Sequence, residues 1–251
     1  MRWPGPVRLP LALALAVAAC SPPPSDTDAE SGTSVLVFSR TVAYRHASIE
    51  AGIQALREMA EDAGIALTAT EDPEVFSGGL LPSYDAVVFL STSGDVLDDD
   101  QQAVLESFVR GGGGFVGIHA AADTEYDWPW YGELVGAWFD WHPPGVQTAT
   151  LLVADADHPA TESLPSPWVR EDEWYDLRDM QEGLSILLEI DETTYKTADQ
   201  NPRPTPRPIA WYREFDGGRT FYTALGHTSA SFDEPAFRAH IQGGLQWVLG
   251  S

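Results

Sequence analysis

Side chains that could do chemistry lie in five short stretches between apolar runs of the sequence. Four of the stretches contain a histidine, at positions His46, His119, His142 and His227. The fifth contains Glu173 within a run of acidic residues. Imidazole titrates near neutral pH, and imidazole with carboxylate is suited to proton transfer or to binding a divalent metal ion.

Each of these residues also has a structural interpretation. A histidine after a strand is more often a hydrogen-bonded structural residue, and we assign His158 and His240 to that class. The coincidence of four histidines in separate stretches favours a site. His119 is the strongest candidate, because the alanines at 120–122 suggest open space around it and the glycines at 111–114 permit close backbone approach.

The first half of the folded chain has the pattern of an α/β protein with a mostly parallel sheet. Continuous apolar runs predict strands that are covered on both faces, and apolar stripes at helical spacing predict helices between them. The predicted strands are 34–39, 65–70, 85–91 and 114–119, and the predicted helices are 48–63 and 99–110. Parallel crossovers bring the loops after these strands to one edge, where open α/β sheets bind ligands.

The second half is more irregular, with many Trp and Pro residues. The turn FDGG at 215–218 predicts an antiparallel pair, and a closing helix begins near Glu234. Further strands are predicted at 147–154, 185–190, 208–215 and 219–225. One domain over 34–251 with a long middle segment is the simplest interpretation.

The first residues have the composition of an export signal rather than of a fold. Basic residues precede a nine-residue apolar run that is too short to span a bilayer. The segment VAAC resembles a bacterial lipobox, which predicts a signal peptide over 1–19, acylation of Cys20 and a flexible tether over 20–33. We therefore expect an exported protein anchored to the cell envelope only through this lipid. A secreted protein with a free N-terminal cysteine is the alternative.

Charge and cysteine content exclude several classes of function. The formal net charge of -24 repels phosphate backbones, so nucleic acid is not an expected partner. Cys20 is the only cysteine, so the folded domain has neither a disulfide nor a thiol nucleophile.

Several motifs together resemble the ThuA-like (trehalose utilisation) family. They are RTVAYRHASI, GGGFVGIHAAAD, HPPGVQTATLLVADADHPAT, DEWYDL and AWYREFDGGRTFYTALGHTSASF, and they extend from about residue 34 to the C-terminus. The resemblance implies a flavodoxin-like, three-layer fold of the class I glutamine amidotransferase-like superfamily. It also implies a link to trehalose and related disaccharides, through keto-sugar intermediates.

One departure from that superfamily removes a reaction class. The resemblance places His119 of VGIHAA where amidotransferases have their nucleophilic cysteine, and it places His227 of LGH near the partner histidine. Acyl transfer by a Cys–His pair needs a thiolate, so amidotransferase and cysteine peptidase activities are excluded.

Two functions remain open. The first is an enzyme that cleaves disaccharides or keto-glycosides, with His119, Glu173 and His227 as acid–base or ligand groups. The second is a sugar-binding lipoprotein without catalysis. Under either function a divalent metal such as zinc is a possible cofactor, although short-spaced ligand motifs such as HExxH are absent.

Other residues are expected to contact the carbohydrate. Indole rings offer flat faces on which sugar rings stack, and polar groups near the histidines offer hydrogen bonds. The predicted binding residues are Tyr44, His46, Asp123, Trp138, Trp141, His142 and Trp174. The oligomeric state is left open.

Overall fold

The structure is a computed structural model, and it describes most of the folded chain. The described residues are 1–3, 5, 32–77, 79–197 and 206–250. The predicted lipidation site Cys20, and nearly all of the predicted signal peptide and tether, lie outside these residues. The chain divides into residues 1–31 and a compact unit, Gly32–Ser251, which is described below. No helix in the described part of the chain is long and apolar enough to cross a membrane.

Strands and helices alternate in the first half of the unit, and strands predominate in the second. The strands are β1 (Ser34–Phe38), β2 (Ala66–Thr70), β3 (Ala86–Leu90), β4 (Gly114–Ile118), β5 (Trp138–Trp141), β6 (Gln147–Val153), β7 (Trp168–Asp172), β8 (Asp176–Arg178), β9 (Ser185–Asp191), β10 (Arg207–Phe215) and β11 (Gly218–Thr223). The α-helices are α1 (Ile49–Asp62), α2 (Asp99–Arg110), α3 (Pro129–Val135) and α4 (Pro235–Leu249).

Nine of these strands form one sheet in the order β2-β1-β3-β4-β11-β10-β9-β6-β7. The pairs from β2 to β11 in this order are parallel, and the pairs from β11 to β7 are antiparallel. β5 and β8 form a separate antiparallel pair. The predicted α/β class, with a mostly parallel first half and a partly antiparallel second half, is confirmed.

Helices cover both faces of the sheet, which gives three layers. Successive residues of β4 face opposite sides. On one side a Cβ added to Gly114 would touch Val248 of α4. On the other side Phe115 packs edge-on against Tyr131 of α3. The strand must therefore be apolar at every position, as the sequence pattern indicates.

The residue that precedes α1 makes a tertiary hydrogen bond instead of capping the helix. Ser48 occupies the N-cap position, but its side chain makes no capping hydrogen bond. Its hydroxyl instead donates to the backbone carbonyl of Gly226, at 3.0 Å. This buried bond holds the loop between β1 and α1 against the loop that follows β11, and both loops contain a candidate histidine.

The glycines before β4 have a packing role at the opposite end of the strand from His119. A Cβ added to Gly113 would lie 2.4 Å from the ring of Phe108, far inside van der Waals contact. The interpretation that 111–114 permits close approach near His119 is therefore wrong, because 111–113 precede β4, Gly114 begins it and His119 follows its other end.

The predicted strands do not include β7, which contains part of the acidic run around Glu173. Its side chains alternate between buried and exposed, with Trp168, Arg170 and Asp172 facing inward. Strands β5 and β8 and helix α3 were not predicted either.

Candidate active site

Four side chains from distant parts of the sequence meet in one cluster. His46, His119, Glu173 and His227 each offer one nitrogen or oxygen atom, and these atoms lie within 4.8 Å of one another. We call these four residues the His/Glu cluster. The expectation that the separated histidines converge at one edge of the sheet is met by three of them.

The backbone at His119 directs its side chain into the cluster. His119 follows β4 directly and has φ of +53°, in the left-handed region that residues other than glycine rarely adopt. The Tyr222 hydroxyl donates to the His119 carbonyl at 3.0 Å and supports this turn. Strained backbone at a strand end is a frequent feature of functional sites.

The hydrogen bonds of His119 define which of its nitrogens faces the cluster. Nδ1 lies 2.8 Å from the carbonyl oxygen of Ala224, which only accepts, so Nδ1 is the protonated nitrogen of the neutral ring. Nε2 therefore presents a lone pair. It lies 2.9 Å from the Tyr175 hydroxyl and 3.2 Å from both Nε2 of His46 and Nδ1 of His227.

Glu173 divides its two carboxylate oxygens between different neighbours. Oε2 lies 3.1 Å from Nδ1 of His227 and 3.7 Å from Nε2 of His119. Oε1 lies 3.2 Å from Nδ1 of His142. One oxygen thus faces the cluster and the other faces the fourth candidate histidine.

Asp172 holds the segments of Glu173 and His227 together. This fully buried carboxylate accepts hydrogen bonds from the backbone N–H groups of Gly226 and His227, at 2.9 and 3.0 Å. It also faces Arg170 at 3.2 Å. The sequence places Asp172 in the acidic run but does not reveal this role, because its partners lie more than 50 positions away.

The environment separates the proton affinities of the histidines. Burial, with a smaller contribution from His227, lowers the pKa of His46 to about 4. Burial and the nearby His46 place the pKa of His119 well below its usual value. The hydrogen bond to Glu173 raises the pKa of His227 above its usual value. His46 and His119 are therefore neutral near pH 7, and His227 is the histidine of the cluster that holds a proton most readily.

A cavity of about 420 Å³ opens beside the His/Glu cluster. Its lining has three phenyl or phenol rings and five histidine or carboxylate side chains: Tyr44, His46, Asp123, Phe139, His142, Glu173, Tyr175 and His227. His119 does not line it and is fully buried. The expected open space around His119 is thus wrong, since 120–122 are buried as well, and this imidazole stands behind the cavity wall.

The predicted tryptophan contacts require correction. The indole of Trp174 is 1% exposed and donates to the Gln147 carbonyl, so neither of its faces is free. Trp138 packs against Gly132 of α3 and does not line the cavity. Trp141 stacks on His142.

Phe139 and Tyr175 take the place of these tryptophans in the cavity. Phe139 follows Trp138 in the sequence, and Tyr175 follows Trp174. Neighbouring residues of an extended chain face opposite sides, so one of each pair faces the cavity and the other does not. Along EWYD (173–176), alternation places Glu173 and Tyr175 on the same side of the chain. The sequence therefore contained the signal that Tyr175 faces the cavity with Glu173.

The two remaining histidines lie outside the cluster. His240 is fully buried, and its Nδ1 donates to the Ala160 carbonyl at 2.8 Å. His158 accepts from the Ala160 N–H at 3.1 Å and packs on the ring of Tyr212. Both positions agree with the structural role assigned to them.

Comparison with known proteins finds similarity over nearly the whole folded unit. The ThuA family model, described as trehalose utilisation, matches residues 34–248. A putative ThuA-like protein from Bacteroides uniformis superposes with a TM-score of 0.74 at 22% identity, covering 86% of this chain and 91% of that one. A second, from Parabacteroides merdae, gives 0.68 at 20% identity, covering 87% and 90%. A cytoplasmic protein from Salmonella typhimurium LT2 gives 0.61 at 13% identity, covering 86% and 99%. A search of curated proteins finds no match.

The fold and the strand-end cluster define a protein of the glutamine amidotransferase-like class. His119 stands at the turn where the resemblance expects a cysteine nucleophile, and the sequence has no cysteine besides Cys20. Within that class, the chain belongs to the ThuA family, which is linked to trehalose utilisation.

Proposed function

We propose that this protein is an enzyme that acts on a disaccharide or keto-glycoside at the His/Glu cluster. The observation that supports this function is the convergence of Glu173, His227 and His46 from distant segments on the wall of one cavity. The family link to trehalose utilisation supports a carbohydrate substrate.

The cavity has the size and lining that a sugar requires. Its volume of about 420 Å³ falls within the range typical of small-molecule sites. Tyr44, Phe139 and Tyr175 offer apolar ring surface, while Asp123 and His142 offer hydrogen-bonding groups. A neutral ligand also avoids the repulsion that the net charge of -24 exerts on anions.

The chemistry proposed is elimination beside a ketone. A base removes the proton from the carbon next to the carbonyl, and the electron pair left behind forms an enolate. The enolate then expels the glycosidic oxygen from the adjacent carbon, and an acid protonates that oxygen. Glu173 is the base, and His227, whose pKa is raised, is the acid.

His119 is a positioning residue under this proposal rather than a catalytic one. It contacts His46, His227 and Tyr175 from behind the cavity wall and does not reach the substrate. The sequence analysis expected an acid–base role for His119. Its position after β4 predicts the edge of the sheet at which it lies but not how deeply its side chain is buried.

Turnover of 3-keto-trehalose, followed by NMR, tests the proposal, and trehalose itself, which has no carbonyl group, should not react by this step. Glu173→Gln keeps the shape of the side chain and removes the base, so kcat should fall by about 10²–10⁴-fold while the sugar still binds. His158→Gln, outside the cavity, is the control and should retain activity. The proposal fails if the wild-type protein binds 3-keto-trehalose and does not convert it.

A sugar-binding protein without catalysis is the second candidate. The aromatic rings of Tyr44, Phe139 and Tyr175 beside hydrogen-bonding groups favour it, since this combination is also typical of sites that only bind a ligand. Under this function Glu173→Gln weakens affinity for the sugar, and no turnover exists to be lost.

We also propose that the protein is exported and held at the cell envelope through acylated Cys20. The support is the sequence alone: an apolar run that ends in VAAC, followed by a Pro- and Ser-rich segment. The lipid is then the only membrane contact, and nucleic acid is not a partner.

A further inference from the structure

We propose that the His/Glu cluster binds one divalent transition-metal ion of the zinc type. The ligand atoms are Nε2 of His46, Nε2 of His119, Nδ1 of His227 and Oε2 of Glu173. This inference does not depend on which substrate the protein uses.

The distances between these atoms match a metal coordination sphere. Ligands at 2.0–2.1 Å from a tetrahedral ion are about 3.3 Å apart. Nε2 of His119 lies 3.2 Å from both imidazole nitrogens and 3.7 Å from Oε2 of Glu173. Oε2 lies 3.1 Å from Nδ1 of His227. These four distances are close to that value, and all four ligand atoms lie within 4.8 Å of one another, so modest side-chain adjustment would bring them to an ion at their centre.

Protons alone do not satisfy the cluster. Three groups lie at hydrogen-bonding distance from Nε2 of His119. This nitrogen has a single lone pair, which accepts one good hydrogen bond, so two of the three groups are left without an acceptor there. If Tyr175 donates to it, and His227 donates to Glu173, Nε2 of His46 has no partner among these groups. A cation in the centre satisfies all these lone pairs at once.

The surroundings of the ligands are those of a metal site. The Nδ1–H of His119 donates to the Ala224 carbonyl, which fixes the ring with Nε2 toward the centre. Such outer hydrogen bonds are the rule for metal-binding histidines. Asp172 fixes the backbone of His227 separately, by accepting from the His227 N–H at 3.0 Å.

The ligand set selects the class of ion. Three imidazole nitrogens and one carboxylate oxygen suit zinc and its neighbours, whereas magnesium and calcium prefer oxygen ligands alone. His46, Glu173 and His227 line the cavity, so a further coordination position faces the space where a substrate carbonyl would lie. There the ion would polarise the carbonyl oxygen.

Binding of the ion would redistribute the proton-transfer roles. Oε2 of Glu173 and Nδ1 of His227 become ligands, while Oε1 of Glu173 remains 3.2 Å from His142. Glu173 and His142 then form the pair that exchanges protons with the substrate.

Metal analysis of the purified full-length protein tests the inference directly. After chelation and dialysis against zinc chloride, we expect about one equivalent of zinc per chain and saturable binding by calorimetry. Glu173→Gln and His227→Gln should each weaken zinc binding by at least about 10-fold, because each removes a ligand. His158→Gln removes a histidine outside the cluster and should bind as the wild type does.

Reconstitution with Co²⁺ gives a second readout that needs no activity. The wild type should show the visible absorption of Co²⁺ in a nitrogen-rich site, and the two ligand variants should lose it while circular dichroism shows them folded. Absence of binding in the wild type, or equal binding by the wild type and the ligand variants, overturns the inference. Sugar turnover by a zinc-free protein would overturn only a role of the ion in catalysis and would leave the proposed function intact.

Discussion

The imidazole of His119 is fully buried, yet polar groups surround its outer nitrogen. Burial of a neutral histidine is tolerated because Nδ1 donates to a backbone carbonyl and Nε2 meets other hydrogen-bonding groups. A ring in this state does not exchange protons with solvent at neutral pH, and it serves instead to place its neighbours.

His240 shows the opposite case, a buried imidazole among apolar rings. Burial lowers its pKa from 6.5 to about 4, so between these values the unfolded chain binds a proton that the folded chain excludes. The contribution of His240 to the free energy of unfolding is therefore fully present above pH 6.5. This contribution falls by about 3 kcal/mol as the pH falls to 4.

Urea unfolding of the wild type and of His240→Gln across this pH range checks the prediction. The variant lacks the titrating group, so the stability advantage of the wild type should shrink steadily as the solution is acidified. A difference in unfolding free energy between the two proteins that stays constant with pH would contradict the lowered pKa of His240 in the folded protein.

At the scale of elements, Asp172 joins the end of β7 to the loop after β11. Asp172→Ala leaves the backbone N–H groups of Glu173, Gly226 and His227 without this acceptor and takes one carboxylate away from buried Arg170. We expect a loss of about 3–5 kcal/mol in unfolding free energy, measured by denaturant titration. Glu171→Ala, its exposed neighbour on β7, should change stability by less than about 0.5 kcal/mol. Equal effects of the two substitutions would exclude the linking role.

The turn before β4 allows a separation of packing from function. In Gly113→Ala the new methyl group overlaps the ring of Phe108, and we expect a loss of about 1–3 kcal/mol in stability. Gly111→Ala, with 3.3 Å to its nearest neighbour, should cost less. Because these glycines lie far along β4 from the cluster, sugar and zinc affinities should stay unchanged. Loss of sugar or zinc affinity in a variant that remains folded would contradict the separation of these glycines from the His/Glu cluster.

The elements differ in how far their sequences reveal them. β1, β3 and β4 are apolar throughout, and their loops follow from the parallel crossover rule, so the meeting of His46 with His119 was predictable. β7 was not, because its exposed Glu171 and buried Asp172 look alike in sequence, and only the tertiary partners distinguish them. The same limit applies to Trp174 and Tyr175. Alternation places these two side chains on opposite sides of the chain, but taken alone it does not tell which side faces the core and which faces the cavity.

For the whole molecule, the testable property is its location, which we propose to be the cell envelope. If Cys20 is acylated, Cys20→Ser should move the protein from the membrane fraction to the soluble fraction of the cells, with its fold unchanged. Fractionation followed by immunoblotting measures this. A wild-type protein found wholly in the soluble fraction, or a variant that stays with the membrane, would contradict the proposed anchor.

The central claim is that a carbohydrate occupies the cavity beside the His/Glu cluster. A crystal structure of Glu173→Gln soaked with 3-keto-trehalose tests it most directly, because this variant binds the sugar without cleaving it. We predict a sugar ring between Tyr44 and His142, with its carbonyl oxygen directed at the cluster. Sugar bound elsewhere on the protein, or an empty cavity in crystals whose protein is saturated in solution, would contradict the account.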